Sequence, residues 1–297
     1  MSHLIDLHTD LTHCTYSHGS YTQFRIDDPK PRLISKALVR DRVIHHLLYQ
    51  ELYQYFDERF IHDSYSCRVG KGAHKARQQF IRYARKVSKN HAKTCWVLQC
   101  DIFRFFDSID HEILITLLAR HIEDQDLLML LTNIIRSFCM KPGKGLPLGN
   151  LTSQLLVNIY MDEFDQFVKH DLKSKYYIRY ADDFVFLHED RSQLEIFLVE
   201  TKSFLEEKLK LKLHPKKLSI DTIASGVDFL GWVHFPHHSV LRTKTKQRMF
   251  KKLEESDGEA RVDSYLGMLR WGDAAGLRKE VKTFRGTEHT SNNLNST

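Results

Sequence analysis

The ten residues IRYADDFVFL, Ile178–Leu187, limit what this chain can fold into more than any other stretch. Two apolar runs rich in aromatic and β-branched residues flank adjacent carboxylates, Asp182 and Asp183. They read as the strands of a hairpin that carries the acids at its turn. Neighbouring carboxylates repel each other, and in a low-dielectric setting at least one tends to stay protonated. A cation, a basic partner or plain solvation has to offset that repulsion. Taken alone, the pair reads as a hairpin turn, which Asp favours.

A second carboxylate changes that reading. WVLQCD ends an apolar strand at Asp101, where a side chain emerges at the sheet margin. If this strand pairs with the hairpin, Asp101 and Asp182 face each other at about 5 Å between Cβ atoms. Asp101, Asp182 and Asp183 would then converge as an oxygen-rich site suited to Mg²⁺. Two such ions activate an attacking hydroxyl and stabilise a leaving pyrophosphate; Mn²⁺ is the expected substitute.

Charge is consistent with a polyanionic partner. The 297 residues carry a net charge of +6, concentrated in Lys71–Lys93 and Leu241–Lys252. Five cysteines without a CxxC pair read as reduced thiols of a cytoplasmic protein. No HExxH or Cys/His zinc spacing occurs among the 18 histidines. The start of the sequence has no basic-then-apolar leader, and no apolar run nears the roughly 18 residues that span a bilayer.

Along the chain, residues 1–30 are polar and poorly periodic, and DDPKPRLIS gives an extended entry. Helical spacing follows, with Val39, Val43, Leu47, Leu48, Leu52 and Phe56 on one face. Further helices are expected over about 73–88, after an N-cap at Asp110, over 126–138, from Ser153, and over 193–208. KPGKGLPLGN is loop; strands are expected near LKLH, KLSIDTI and VDFLGWVHF. Residues 240–285 read as basic helices broken at Gly258, Gly267 and Gly276, and the end as a disordered tail. Without a regular βαβ rhythm the class is α+β.

YADD in an apolar hairpin, after DIFRFFDSID and GLPLGNLTSQ in this order, resembles the reverse transcriptases. The likeness runs from PKPRLISKALVRDRVIHH to SYLGMLRWG, most of the chain. It implies a right-hand polymerase fold with fingers (1–95), an antiparallel-sheet palm (96–236, with a fingers insertion near 112–146), a short helical thumb (237–285) and a tail (286–297). The implied activity is RNA-directed DNA synthesis, with template RNA, a DNA or RNA primer, cDNA and dNTPs as partners. Asp101 and Asp182 would bind two metal ions directly, with Asp183 beside them. Phe106 would be the steric gate that crowds a ribose 2′-hydroxyl. Arg32, Arg68 and Lys71 are candidates for the triphosphate and template. Lys216, or the adjacent Lys217, fits the lysine that protonates pyrophosphate. Phe229, Leu230 and Gly231 match the primer grip, and Lys244, Lys246 and Arg248 would meet the duplex backbone.

One departure is informative. Many reverse transcriptases read Gln-Gly-x-x-x-Ser-Pro under the incoming base; here Leu148 and Gln154 replace the glutamine and the proline around Gly149. That form resembles the enzymes of diversity-generating retroelements, which copy a template RNA with errors at adenine and work with a small helical accessory protein. Retron, group II intron and host-defence reverse transcriptases are the alternatives.

Overall fold

The computed structural model describes residues 2–27, 30–255 and 258–284. In chain order the elements are α1 (Ser2–Thr12), β1 (Tyr21–Ile26), β2 (Arg32–Ala37), α2 (Val39–Asp57), α3 (Ala73–Val87), β3 (Trp96–Asp101), α4 (Phe105–Ser108), α5 (His111–Ala119), α6 (Gln125–Arg136) and α7 (Leu151–His170). They continue with β4 (Tyr177–Tyr180), β5 (Asp183–His188), α8 (Arg191–Lys208), β6 (Ser219–Thr222), β7 (Val227–Phe229), β8 (Trp232–His234), β9 (Ser239–Leu241), α9 (Thr243–Glu255), α10 (Glu259–Leu269) and α11 (Ala275–Thr283). Helices and antiparallel hairpins follow one another without βαβ repetition, so the α+β expectation holds.

These elements form two compact units. The first comprises residues 1–72, 98–186 and 192–219; the second comprises 73–97, 187–191 and 220 onwards. The consecutive division 1–95, 96–236, 237–285 does not match these boundaries, because α3 belongs with the C-terminal segment. The tail from 286 lies outside the described residues.

In the first unit β4 and β5 pair antiparallel, Tyr177 opposite Phe186 and Tyr180 opposite Asp183, and β3 lies beside β5 in the sheet order β4-β5-β3-β6. Every β4–β5 residue from Phe184 to Leu187 and from Tyr177 to Arg179 is buried. This explains the apolar run: a strand covered on both faces loses its polar alternation. Phe164 of α7 packs its ring against Phe184 at 5.1 Å and Phe204 at 5.9 Å, which seats α7 and α8 on this sheet. Asp110 caps α5 as expected, accepting from the Ile113 amide at 3.3 Å.

Three expectations are corrected. The buried face of α2 is Asp41, Ile44, His45, Leu48, Leu52 and Phe56, while Val39 and Leu47 are exposed. Two polar residues displace the apolar ones because they have buried partners: Asp41 accepts from Tyr16 at 2.8 Å, and the ring of His45 meets the Thr152 hydroxyl at 2.5 Å. The opening segment, read as irregular, forms α1 and the β1–β2 hairpin, whose register runs from Tyr21 opposite Ala37 to Ile26 opposite Arg32. Its first strand is exposed almost throughout, the apolar Phe24 and Ile26 included, so it has no alternating buried face to read. Of the three glycine breaks only Gly258, at the N-cap of α10, interrupts a helix; Gly267 lies inside α10 and Gly276 inside α11.

The second unit has its own core of Trp232, Leu241, Met249, Leu253, Val262, Leu269, Ala274 and Val281. β7, β8 and β9 form an antiparallel sheet with Phe229 opposite Trp232 across the turn Leu230-Gly231. Both turn residues have positive φ, 51° and 83°, the backbone of a tight two-residue hairpin. α3 contributes Phe80, whose ring lies 5.2 Å from Phe229, and Arg77, whose guanidinium stacks 4.1 Å over Trp232. Gly272 sits so close to Trp232 that a Cβ would fall 1.9 Å from the indole, so only glycine fits. Among the described residues no helix is long and apolar enough to cross a membrane.

Candidate active site

The site is assembled where β3 ends beside the β4–β5 turn. Asp101 is the last residue of β3, buried to 5% exposure, and Ala181-Asp182 is the two-residue link between β4 and β5. The amide of Ile102 donates to the Asp182 carbonyl at 3.2 Å, and the amide of His214 donates to the Asp101 carbonyl at 2.7 Å. These bonds bring the predicted acids together.

The electrostatics follow from crowding. Burial, and then the charge of Asp101, raises the Asp182 carboxyl above its ordinary range; Lys217 and Arg32 act against that rise. The Asp183 carboxyl is pushed up as well, by burial, a hydrogen bond with Asp101 and the Asp182 charge. Asp183 is nonetheless exposed to solvent. Lys217 Nζ donates to Asp101 Oδ2.

The three predicted acids lie close enough to feel one another, Asp183 bonding to Asp101 and Asp182 meeting the charge of Asp101. Among the described residues no three His, Cys, Asp or Glu side chains are grouped to hold a metal ion. Lys217 offsets part of this crowded negative charge through its bond to Asp101. Mg²⁺ is commonly held by only one or two carboxylates, with waters and substrate phosphates completing its octahedron. Asp101 and Asp182 meet that requirement: both are oxygen donors at one strand margin, with excess negative charge that a cation would relieve.

Other predicted residues divide. Lys217, not Lys216, reaches Asp101; Lys216 is exposed and only its amide is engaged, with His214 Nδ1 at 3.1 Å. Of three neighbouring phenylalanines, Phe105 is buried, Phe103 is 44% exposed and Phe106 is half-buried, its carbonyl accepting from Leu146 at 2.9 Å. Arg32 is exposed and its charge is felt at Asp182.

Arg68 is a correction. Its guanidinium is 5% exposed and donates to Asp57 Oδ1 at 2.6 Å, the Asp57 carbonyl at 2.9 Å, the Ile61 carbonyl at 2.7 Å and the Ser64 carbonyl at 3.1 Å. A cation so consumed builds the 57–68 loop and is not open to a triphosphate. Lys71 donates to the His62 carbonyl at 2.8 Å.

Leu148 is half-buried, Gly149 is exposed and Gln154 is exposed on the first turn of α7. The loop is laced to β2: Ser35 N donates to the Leu148 carbonyl at 2.8 Å, and the Asn150 side chain both donates to the Ser35 carbonyl at 2.8 Å and accepts from Ala37 N at 3.1 Å. Gly149 has φ +108° and a Cβ there would lie 2.6 Å from Ile34 Cγ2, which fixes its identity. In the second unit Phe229 is buried, with Leu230 and Gly231 at the β7–β8 turn. Lys244 and Arg248 share one face of α9, whereas Lys246 points away from them, 5.8 Å over the Phe250 ring.

The sequence reading missed Asn150, and also Arg179, Asp165 and Asn158, which lie buried beneath the carboxylates. One signal was present: Arg179 interrupts a strand that is otherwise aromatic and apolar.

Residues 26–234 match the family model described as reverse transcriptase (RNA-dependent DNA polymerase). The chain belongs to the reverse transcriptase family. Among relatives, Protein YkfC of Escherichia coli (strain K12) is 25% identical over 255 residues, 73% of this chain and 65% of that protein. The Retron Ec83 reverse transcriptase of Escherichia coli is 30% identical over 127 residues, 40% of each chain. Among solved structures, telomerase from Candida albicans superposes with a TM-score of 0.57 at 11% identity, over 78% of this chain and 48% of that one, a likeness of fold alone. The chain thus spans less than two thirds of the length of these two Escherichia coli relatives.

Proposed function

We propose that this chain is an RNA-directed DNA polymerase that extends a DNA or RNA primer along a template RNA from dNTPs. The observation that carries the reading is the meeting of Asp101, at the end of β3, with Asp182 at the β4–β5 turn in a chain of this family. Asp101 and Asp182 would hold two Mg²⁺ ions, with Mn²⁺ as a substitute, and these supply Lewis acidity at the primer 3′-hydroxyl and the leaving pyrophosphate. Lys217, already an ammonium donor at this site, is the proton source for the departing pyrophosphate. Arg32 offers its charge to the triphosphate. Phe229, Leu230 and Gly231 serve as the primer grip, and Lys244 and Arg248 as contacts to the duplex backbone. Primer extension on an RNA template, with and without Mg²⁺, tests the reading; no extension by the pure full chain with any primer–template pair would overturn it.

Phe106 acts as the sugar gate. Its half-buried ring stands on backbone anchored by the Leu146 hydrogen bond, which limits movement of the segment away from a bound sugar. Phe106→Ala is expected to raise the ratio of ribonucleotide to deoxynucleotide incorporation about 10–100-fold, the range for losing close apolar contact in a selective pocket. An unchanged ratio returns Phe106 to the ordinary core.

Within the family two readings compete. The retron relative favours a retron- or group II intron-like enzyme. The diversity-generating reading, with its accessory protein, rests on Leu148, Gly149 and Gln154. Sequencing cDNA decides between them: errors concentrated at template adenines, reduced by Leu148→Gln, support diversification. Equal error at all four template bases supports the retron- or intron-like enzyme.

A further inference from the structure

We propose that Arg179 is a positioning residue for the carboxylate turn, holding Asp182 in register through the backbone of Ala181. The inference concerns the polymerase site and rests on that reading for its kinetic consequence.

The observation is a guanidinium with every donor assigned. Arg179 and Asp165 are both fully buried. Arg179 Nε donates to Asp165 Oδ1 at 2.8 Å and Oδ2 at 3.0 Å, and Nη2 donates to Asp165 Oδ2 at 2.6 Å. The second Nη2 hydrogen goes to Ser64 Oγ at 3.0 Å, and Nη1 serves both Asn158 Oδ1 and the Ala181 carbonyl at 3.2 Å. A guanidinium has five N–H groups, and five directions are used. Its backbone is tied as well: Arg179 N donates to the Asp63 carbonyl at 2.9 Å and Tyr65 N to the Arg179 carbonyl at 3.0 Å.

Two features make this more than a buried ion pair. Ala181 has φ +55°, a conformation that a residue with a Cβ adopts when its surroundings enforce it. Arg179 grips the carbonyl of that residue, immediately before Asp182. Asp182 is then held again from the far side, its own carbonyl accepting from Ile102 N. The carboxylate is therefore suspended between β3 and a rigid fork rooted in α7 through Asp165 and Asn158. A lysine could keep the charge opposite Asp165, but its single nitrogen cannot also serve Ser64, Asn158 and Ala181. An apolar residue of equal volume would fill the space and hold nothing.

The test uses the full chain and two variants, Arg179→Lys and Asn158→Ala. In single-nucleotide extension with Mg²⁺, the burst amplitude counts competent molecules and the rate constant reports each one. The rate constant is expected to fall about 10-fold for Asn158→Ala and about 100-fold for Arg179→Lys, the span for residues that orient metal-binding groups. An unchanged rate constant with a reduced amplitude would show a purely structural role and overturn the proposal. Should Arg179→Lys fail to fold, Asn158→Ala decides. A second readout needs no activity: hydrogen exchange at the Ile102 amide should quicken in Asn158→Ala while amides of α7 keep their protection. Equal protection at Ile102 in variant and wild type overturns the proposal even if wild type extends no primer, the result that would separately remove the polymerase reading.

Discussion

Asp182→Asn is expected to abolish primer extension, a loss beyond about 10³-fold, while the protein folds as before. Removing one preorganised electrostatic group in an active site already costs roughly 10²–10³-fold, and here the group removed is one of two carboxylates able to hold a metal. The fold should not suffer. Burial and Asp101 raise the Asp182 pKa, so the folded state holds that proton more tightly than the unfolded state does. Ionising Asp182 therefore draws down stability as pH rises above the ordinary carboxylate range. The amide carries no such charge, so the melting temperature at neutral pH should equal or exceed that of wild type. Extension assays and thermal melts on the same preparation check both halves. Wild-type extension rates in the variant would disprove the carboxylate assignment, and a collapsed melt would show that the side chain supports the fold.

Asp165→Ala is expected to be the most destabilising single change in the first unit. It strands a fully buried guanidinium and takes the acceptor from Tyr177, whose hydroxyl donates to Asp165 Oδ1 at 2.8 Å. Breaking a buried pair from one side costs about 3–5 kcal/mol, since the guanidinium keeps only the neutral acceptors Ser64, Asn158 and the Ala181 carbonyl and no counter-charge. At roughly 2–4 °C per kcal/mol for a protein of this size class, that is a fall of about 6–20 °C in melting temperature. Urea denaturation of Asp165→Ala, Arg179→Met and the double variant gives the coupling directly. The double variant should be more stable than the worse single one. A cost under about 1 kcal/mol for Asp165→Ala would mean that water reaches the guanidinium.

What the sequence made legible was what periodicity and order carry. The β4–β5 hairpin, Asp101 at the end of β3, the cap at Asp110 and the long helix α7 could all be read from local pattern. Partnership could not. Arg68 has the residue type of a phosphate ligand, yet its donors are spent on Asp57 and loop carbonyls that no spacing rule connects to it. Lys216 and Lys217 are indistinguishable in sequence, and only the loop bonded to His214 decides which one faces Asp101. The β1–β2 hairpin escaped because its solvent-facing first strand has no alternating buried face. The α2 face was shifted because Asp41 and His45 are buried against hydrogen-bonding partners from other segments.

The chain passes from one compact unit to the other at 72/73, 97/98, 186/187, 191/192 and 219/220. Such threading matters on the ribosome. α3 emerges early, but the rings and carbonyl that Phe80 and Arg77 rest on, Phe229, Trp232 and Trp271, are made about 150–190 residues later. An N-terminal portion cannot finish by itself and wait, as consecutive domains do during synthesis. Contacts of such long sequence separation slow folding, because the closure entropy of the loop comes before any reward. Nascent chains of this protein should therefore show their apolar α3 face to chaperones until the segment through Trp271 has been translated.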